Sequence, residues 1–258
     1  MSIIYSKELF TAVYGKNHFC SVHFSFTANN CKGDPMIYIT GDTHGDISRF
    51  RDSITRKLRR DDTLIVCGDF GFIWDGSRAE MNMIRKLDEL RYTIAFIDGC
   101  HENFDLLAQY PEISWNGGIA GQISDNIIHL KRGQVYTIEG KKFFTFGGGQ
   151  SPDIDIRKET NTWFEQEQST KEEVEEGLRN ITLNEGIIDY IITHEPPQSL
   201  KKCLDLDIYD HLETDGFFGQ LLTDCVYSKW FFGKCHINKI IPPKFYALFD
   251  NVIRLETD

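Results

Sequence analysis

Aspartate and histidine side chains recur in this sequence directly after short apolar stretches, and most of them stand beside a glycine. The five polar segments are Gly41–Gly45, Gly68–Gly71, Asp98–Asn103, His194–Pro197 and Gly233–His236. Carboxylate oxygens combined with imidazole nitrogens suit Zn, Mn or Fe better than Ca or Mg. Two such ions ~3.5–4 Å apart can clamp the attacking and leaving oxygens of a displacement at phosphorus. If the five segments meet in the fold, they predict metal-dependent chemistry on a phosphate ester.

Each segment is weak evidence when it is taken alone. A single Asp-x-His rarely marks a metal site, and Gly-Asp after a strand is usually a turn or a helix cap. His194 could be a hydrogen-bonded loop residue, and His236 could be a half-buried polar residue on a strand. The coincidence of five segments, each after an apolar strand, favours a shared site, because ligands bind at the carboxyl ends of parallel strands.

The strands and helices that must position these segments begin at Met36. Apolar runs at 36–40, 63–67 and 93–97 are typical of strands that are covered on both faces. Helical stretches are predicted over roughly 46–59 and 77–91, the second from apolar residues at helical spacing. The order is β-α-β-α-β, for which right-handed crossovers are expected.

The middle of the chain has a different pattern. Short apolar runs at 127–130, 134–138 and 142–146 are separated by turn residues, which predicts antiparallel hairpins and a second sheet. The remaining predicted elements are helices near 170–180, 199–212 and 215–225 and strands near 187–193, 228–232, 237–241 and 245–255. Ser169 or Thr170, with a glutamate three residues on, is expected to cap the first of these helices.

A polar segment, residues 147–168, is predicted to be a long surface loop. It is rich in Gly, Asp, Gln and Thr, and it contains Arg157, Lys158 and Trp163. These three residues are candidates for a substrate-facing rim. The alternative is a solvated loop in which Trp163 packs in the core.

Residues 1–35 differ from the rest of the chain and are predicted to be an N-terminal extension to a domain at 36–258. Val22, Phe24 and Phe26 alternate with polar residues, which is typical of a half-buried strand. We therefore expect an appended strand or hairpin. Its exposed edge would leave room for oligomerisation, but the sequence does not determine the oligomeric state.

Composition narrows the possible partners. The 258 residues carry a net charge of −11, which argues against a general binder of nucleic acid or of anionic membranes. A phosphorylated substrate is still compatible, because bound cations can reverse the local field. No apolar stretch reaches the ~18–20 residues that span a bilayer, and no signal peptide is evident. The seven cysteines are odd in number and irregularly spaced, so we expect reduced thiols and a cytoplasmic location.

From Met36 to about residue 250 the sequence resembles the calcineurin-like metallophosphoesterase superfamily. That family carries, in order, Asp-x-His, Gly-Asp, Gly-Asn-His-Asp/Glu, a lone His and Gly-His-x-His, and all five motifs have counterparts here. The resemblance implies an α/β fold, a four-layer α/β/β/α sandwich with two mixed β-sheets. It also implies a hydrolase that uses divalent transition metals, Mn, Fe or Zn.

Carried over residue by residue, the resemblance implies a complete first metal site. Asp42, His44, Asp69 and His236 would be its ligands, and Asp69 would bridge to a second metal. His101 matches the histidine that contacts the phosphoryl group and protonates the leaving oxygen.

The second metal site departs from the family pattern. Its counterparts here are Cys100, His194 and Lys234, where the family has Asn, His and His. Cys100 could bind a metal as a thiolate or could be a buried thiol that faces no metal. Lys234 cannot ligate while it is protonated, so we expect its ammonium to occupy the second metal's place and to attract phosphate. Phe72 stands where many members carry an acid that supports the histidine.

Three hypotheses follow for the function. In the first two, the chain hydrolyses a phosphomonoester or phosphodiester by attack of metal-bound hydroxide. It uses either one metal, with Lys234 as the electrostatic substitute for the second, or two metals, with Cys100 and His194 as ligands of the weaker site. Alternatively, it could be a catalytically impaired member that binds a phosphorylated ligand or partner. The intact first site favours an enzyme. Its substrate would be a phosphorylated small molecule or phosphoprotein, since the acidic balance makes nucleic acids less suitable.

Overall fold

The computed structural model describes residues 34–204 and 213–256, so the predicted strand or hairpin in 1–35 lies almost wholly outside the described part. The strands are β1 (Ile37–Thr40), β2 (Thr63–Val66), β3 (Thr93–Ile97), β4 (Glu112–Trp115), β5 (Gly118–Gln122), β6 (Ile127–Leu130), β7 (Gln134–Ile138), β8 (Lys141–Phe146), β9 (Tyr190–Thr193), β10 (Lys229–Phe232), β11 (Lys239–Ile241), β12 (Phe245–Ala247) and β13 (Ile253–Arg254). The α-helices are α1 (Arg78–Asp88), α2 (Phe104–Leu107), α3 (Ile154–Glu159), α4 (Lys171–Leu183), α5 (Gln198–Lys201) and α6 (Glu213–Asp224). Within these residues, no helix is both long and apolar enough to cross a bilayer.

The strands form two mixed sheets. In the first, with the order β13-β1-β2-β3-β6-β5-β4, strands β1, β2, β3 and β6 run parallel, and each remaining strand is antiparallel to its neighbour. In the second, with the order β11-β12-β10-β9-β8-β7, strands β8, β9, β10 and β12 run parallel and β7 and β11 are antiparallel. The predicted α/β class with two mixed sheets is confirmed.

Three apolar layers hold the sheets and helices together. Ile65 of β2 and Phe231 of β10 belong to the layer between the two sheets. Their neighbours Leu64 and Trp230 belong to the outer layers, where α1 and α6 respectively cover the sheets. Because both faces of these strands are buried, their sequences are continuously apolar. The resulting order is helix, sheet, sheet, helix, which is the predicted four-layer sandwich.

The helical stretch predicted over 46–59 is wrong. The structure has two short 3₁₀ helices there, Ile47–Phe50 and Thr55–Lys57. Between them the Asp52 carboxylate accepts the backbone N–H of Ile54 at 2.6 Å. Such side-chain to backbone hydrogen bonds offer the chain an alternative to a continuous α-helix.

Strand pairing in the middle of the chain also differs from the prediction. β6, expected in a hairpin of the second sheet, lies parallel to β3 in the first. β4 and β5, which the sequence pattern did not predict, form the antiparallel edge of that sheet. The residues of β4 and β5 are largely polar or small, so they lack the apolar runs that mark the buried strands.

The elements after residue 146 match the prediction from the sequence, with three exceptions. The predicted loop at 147–168 contains α3 and a 3₁₀ helix at Glu165–Glu167. The helix predicted at 199–212 is α5 followed by a 3₁₀ turn, after which the chain leaves the described residues. The single strand predicted at 245–255 is β12 and β13, which belong to different sheets. The predicted cap of α4 is confirmed, since Thr170 and its glutamate form a capping box.

Candidate metal centre

The carboxyl ends of four parallel strands bring the polar segments together. β1 is followed by Asp42 and His44, β2 by Asp69, β9 by His194 and β10 by His236. β1 and β2 are neighbours in the first sheet, and β9 and β10 are neighbours in the second. The Nδ1 atom of His194 lies 3.1 Å from the backbone carbonyl of the residue after β2, so the two sheet edges are in contact.

Four donor groups form a cluster whose chemistry fits a transition-metal ion. Asp42, His44, Asp69 and His236 each offer one ligand atom, and these atoms lie within 4.8 Å of one another. The Nε2 atoms of His44 and His236 are 2.9 Å apart, and His236 Nε2 is 3.1 Å from Asp42 Oδ2. The two carboxylates are buried and the two imidazoles are exposed. Two carboxylates and two imidazoles this close together match the ligands that Zn, Mn and Fe take in proteins.

The backbone is strained at several residues of this site. His44, Asp69, Lys234 and His236 have φ angles of 47°, 43°, 65° and 48°. This left-handed region is uncommon for residues that carry a Cβ, and each instance costs about 1–3 kcal/mol. Such strain persists only where the surrounding structure enforces it, and it concentrates at active sites. The four instances therefore support a functional role for this sheet edge.

Two glycines allow the buried carboxylates to lie directly against the backbone. A Cβ at Gly99 would stand 1.9 Å from Asp69 Oδ1, and a Cβ at Gly233 would stand 2.0 Å from Asp42 Oδ1. These distances are far inside van der Waals contact, so any side chain would displace the carboxylate. Each glycine therefore keeps a proposed ligand in place from a neighbouring segment.

Asp69 connects the segments on the two sides of the cluster. Its Oδ1 accepts the backbone N–H of His101 at 2.8 Å, and its Oδ2 lies 2.9 Å from His101 Nδ1. His194 Nε2 lies 3.6 Å from Oδ1. Burial alone would raise the pKa of Asp69, but the charge of His194 and the hydrogen bonds from His101 hold that pKa well below its ordinary range. Asp69 is therefore a carboxylate throughout the physiological pH range.

His101 lies at the open side of the centre. Its side chain is half-buried, and the hydrogen bond to Asp69 is the largest cause of its raised pKa. Its other ring nitrogen, Nε2, lies 3.8 Å from Asp153 Oδ1. Phe72, at the position where the resemblance would place a supporting acid, is buried among apolar side chains.

The Lys234 side chain lies beside Cys100, Gln150 and Glu195. Its Nζ donates hydrogen bonds to Cys100 Sγ at 2.9 Å and to the Gln150 carbonyl at 2.8 Å. Glu195 Oε1 lies 3.7 Å from the same Nζ. Burial works to lower the pKa of Lys234, but Cys100 and Glu195 outweigh it and the pKa is raised. Lys234 is therefore a cation at neutral pH, in contact with the cysteine for which the resemblance implies a ligand position.

His194 is completely buried beside both carboxylates. Burial opposes its charged form, but Asp69 and Asp42 raise the pKa of His194 to about 10. Its Nε2 has no hydrogen-bond partner among the described residues. On this side of the centre, the groups within 4.8 Å of one another are Asp69, Cys100 and His101. Cys100, predicted with His194 as a ligand of a second metal, thus lies beside Asp69, and a hydrogen bond to Cys100 is a further cause of the raised pKa of His194.

A model of the calcineurin-like phosphoesterase family matches residues 35–227, which is more than half of the chain. The chain belongs to the calcineurin-like phosphoesterase family. The resemblance drawn from the five motifs is confirmed, and metal-dependent phosphoesterase is the class of the superfamily to which this chain belongs.

Two solved structures are similar to this chain at 15% sequence identity. One is described as a candidate 5′-nucleotidase from Staphylococcus aureus, with a TM-score of 0.46 and coverage of 86% of this chain and 51% of that chain. The other is phosphopantetheinyl hydrolase from Mycobacterium tuberculosis, with a TM-score of 0.42 and coverage of 84% of this chain and 90% of that chain. The chain thus spans about half the length of the first protein. No curated protein matches the sequence.

A second buried lysine, Lys201, belongs to the same group of charges as Lys234. Lys201 Nζ lies 3.2 Å from Glu195 Oε2 and 3.5 Å from Asp215 Oδ1, and Lys201 is 1% exposed. Glu195 thus stands between two ammonium groups, and its Oε1 also accepts the backbone N–H of Gln150 at 3.2 Å. Because buried charges are costly unless they are paired, this chain of charges fixes Glu195 and, through it, Lys234.

The expected substrate-facing rim is built differently from the prediction. Arg157 is buried, and its guanidinium contacts Glu167 at 2.8 Å and the Cys100 carbonyl at 2.8 Å. Trp163 donates its indole N–H to Glu167 at 2.9 Å, and the Lys158 ammonium lies over the Trp163 ring. Arg157 and Trp163 therefore hold this loop against the Cys100 segment and do not form an exposed rim.

Several residues of the site were not found from the sequence. Glu195 and Gln150 contact Lys234, Asp153 faces His101, and Trp74 lines the cleft beside His101. Glu195 directly follows His194, which was the only signal that could have drawn attention to it. The other three residues lie in irregular segments, where spacing carries no information about which side chains meet.

Proposed function

We propose that this chain hydrolyses a phosphate ester, a monoester or a diester, with one tightly held divalent metal and with the Lys234 ammonium in the place of a second. The observation that carries the proposal is the cluster of Asp42, His44, Asp69 and His236, whose four donor atoms lie within 4.8 Å. Mn, Fe or Zn would suit this donor set. When bound there, such an ion supplies Lewis acidity at a phosphoryl oxygen and lowers the pKa of water.

Lys234 would contribute fixed positive charge to the bound phosphoryl group. An ammonium has three donors, and two of them are directed at Cys100 and Gln150. The third remains for a phosphoryl oxygen, with Glu195 only at 3.7 Å. Because the ammonium is largely buried, its attraction for a phosphate is screened less than that of a surface lysine.

His101 would orient the leaving group and supply its proton. Its Nδ1 is held by Asp69, so the ring has one preferred orientation, with Nε2 3.8 Å from Asp153 Oδ1, and His101 lines the open cleft. A histidine at this place can give a proton to the departing alkoxide, a contribution of roughly 10²–10⁴-fold to the rate. The substrate would be a phosphorylated small molecule or a phosphoprotein, and the proposal includes a cytoplasmic location.

Metal analysis and turnover test this proposal together. The purified chain, supplied with Mn, Zn or Fe, should hold one ion and should hydrolyse p-nitrophenyl phosphate or its bis-ester. Asp42→Asn or His236→Ala should remove the ion and lower kcat/KM by about 10²-fold or more. Asp125→Asn, which changes an exposed aspartate in a turn, is the matched control and should keep both properties.

The contrary outcomes are distinct. Hydrolysis that survives Asp42→Asn would show that the four-donor cluster is not the catalytic site. Failure to turn over either ester with any of the three metals would instead favour a phosphate-binding module. That alternative is supported by Lys234 itself, since a lysine that fills a metal position can hold a phosphate without catalysis.

A further inference from the structure

A cleft of about 380 Å³ opens on the side of the metal centre where the leaving group would depart. Among the described residues it is lined by His44, Gly71, Trp74 and His101. His44 is a proposed metal ligand, and His101 is the residue proposed to protonate the leaving oxygen. The alcohol portion of a substrate would therefore extend from His101 across this cleft toward Trp74.

The loop that carries Trp74 is fixed by hydrogen bonds on both sides of the residue. Its backbone N–H donates to Glu80 Oε2 at 2.7 Å, and its carbonyl accepts from Asn103 Nδ2 at 2.6 Å. Asn103 lies two residues after His101, so one segment positions both the catalytic imidazole and the indole. The Trp74 ring is half-buried and is presented to the cleft by a rigid backbone.

The other three tryptophans of the chain have structural partners. Trp115 packs against Tyr136, Trp163 donates to Glu167, and Trp230 donates to Thr193. Trp74 alone of the four has neither an aromatic ring partner nor an indole hydrogen bond within the described residues. A half-exposed indole without such partners, beside two imidazoles at a reaction centre, is better suited to contact a ligand than to stabilise the fold.

We propose that Trp74 stacks on a planar aromatic ring in the leaving group, an inference that rests on the proposed function. The substrates are then small phosphomonoesters of alcohols that carry an aromatic ring, such as nucleoside 5′-monophosphates. Every nucleobase has a flat π face, and stacking on an aromatic side chain is tolerant of base identity. Apart from the two imidazoles, the described lining of the cleft carries no basic side chain. A polynucleotide would need such a basic track for its backbone, so the cleft suits a single nucleotide.

Adenosine 5′-monophosphate and ribose 5-phosphate provide a matched pair of substrates. They share the reacting phosphate and the 5′ oxygen, and only the first carries an aromatic ring. The wild-type chain should have the higher kcat/KM for adenosine 5′-monophosphate. Trp74→Ala should lower the ratio of the two kcat/KM values by about 5- to 100-fold, the range expected for the loss of one base–aromatic stack.

Two further variants keep the test decisive. Trp74→Phe should retain most of the ratio, because a phenyl ring also stacks. Trp115→Ala removes a half-buried indole from β4 and should leave the ratio unchanged. Metal content and circular dichroism of Trp74→Ala should match the wild type, which separates loss of stacking from loss of fold.

The failures of the two proposals can be told apart. If the wild type hydrolyses both esters and Trp74→Ala leaves their ratio as it was, the stacking inference is overturned and the proposed function stands. If the metal-loaded wild type hydrolyses neither ester nor p-nitrophenyl phosphate, the proposed function fails and the inference falls with it. Equal rates for the two esters in the wild type would also overturn the inference.

Discussion

On one side of Asp69 lie Asp42, His44 and His236, and on the other lie Cys100 and Lys234. Both sets of residues follow parallel strands, and both include residues with left-handed φ angles. On the first side, the Asp42 carboxylate and the two imidazoles lie together with Asp69, and their four ligand atoms are within 4.8 Å of one another. On the second side, a lysine ammonium already lies within hydrogen-bonding distance of the sulfur.

The difference lies in how negative charge is balanced. A cluster of lone pairs and carboxylates needs an external cation, whereas the Lys234 side has an internal one. Lys234 is held by Glu195, which is itself held by Lys201. This buried chain of alternating charges supports the proposal that the Lys234 ammonium takes the place of a second cation. A site that had merely decayed would not require matched partners for the lysine.

The largest expected effect comes from Asp69, because it belongs to both sides. Asp69→Asn should lower kcat/KM by about 10³-fold or more, since it removes a metal ligand and frees the His101 ring. Bound metal, measured on the same preparation, should fall with it. Substantial activity in Asp69→Asn would mean that the two sides act independently, and Asp125→Asn serves again as the control.

Loss of the Lys234 charge should lower activity without removing the metal from the Asp42 cluster. Lys234→Met removes the charge but keeps the length of the side chain, and kcat/KM should fall by about 10²-fold while one metal remains bound. Inhibition by inorganic phosphate should weaken in parallel. Lys234→Arg should recover part of the loss. If phosphate inhibition were unchanged in Lys234→Met, the ammonium would not be a phosphate contact.

Restoring the family residues at positions 100 and 234 should allow a metal ion to bind on the second side as well. The double variant Lys234→His with Cys100→Asn replaces the ammonium–sulfur pair by metal-binding groups beside His194 and Asp69. The measured metal content should then rise from about one ion per chain toward two, since two neutral donors replace a cation. An unchanged content would show that Glu195 or the strained backbone, and not these two residues, prevents the second ion from binding.

The sequence predicted the strands far better than the loops between them. Asp42, Asp69 and His236 follow continuous apolar runs, and such runs are dictated by burial on both faces. By contrast, the 3₁₀ turns at 46–59 depend on single hydrogen bonds such as Asp52 to Ile54. These bonds have no periodicity, so a pattern search cannot detect them.

The same distinction explains what was missed at the site. The motif identified Lys234 as a departure, but its partners Glu195 and Gln150 come from other loops. Arg157 looked like an exposed cation and is instead buried against Glu167, ten residues further along the chain. Charge in a loop is ambiguous in sequence, because pairing inside the protein and contact with a ligand require the same residue types.

Glu195→Gln should produce a smaller effect than loss of Lys234 itself. The amide keeps the shape of the side chain but removes the charge that stands between Lys201 and Lys234. We expect kcat/KM to fall by about 10- to 100-fold, as for other residues that orient a catalytic group. The metal of the first side should be retained. Reduced metal content in this variant would show that Glu195 also supports the Asp42 cluster.

The smallest effect is expected at Lys158, a candidate from the sequence for a substrate-facing rim. Its ammonium lies 4.2 Å from the centroid of the Trp163 ring. Lys158→Ala should therefore cost about 0.5–1 kcal/mol of stability, the value of an exposed cation–π contact, and should change kcat/KM by less than about twofold. Denaturant unfolding and steady-state kinetics measure the two quantities separately. A large loss of activity at unchanged stability would place Lys158 at the substrate after all, and positive charge would then reach the phosphate from this loop as well as from Lys234.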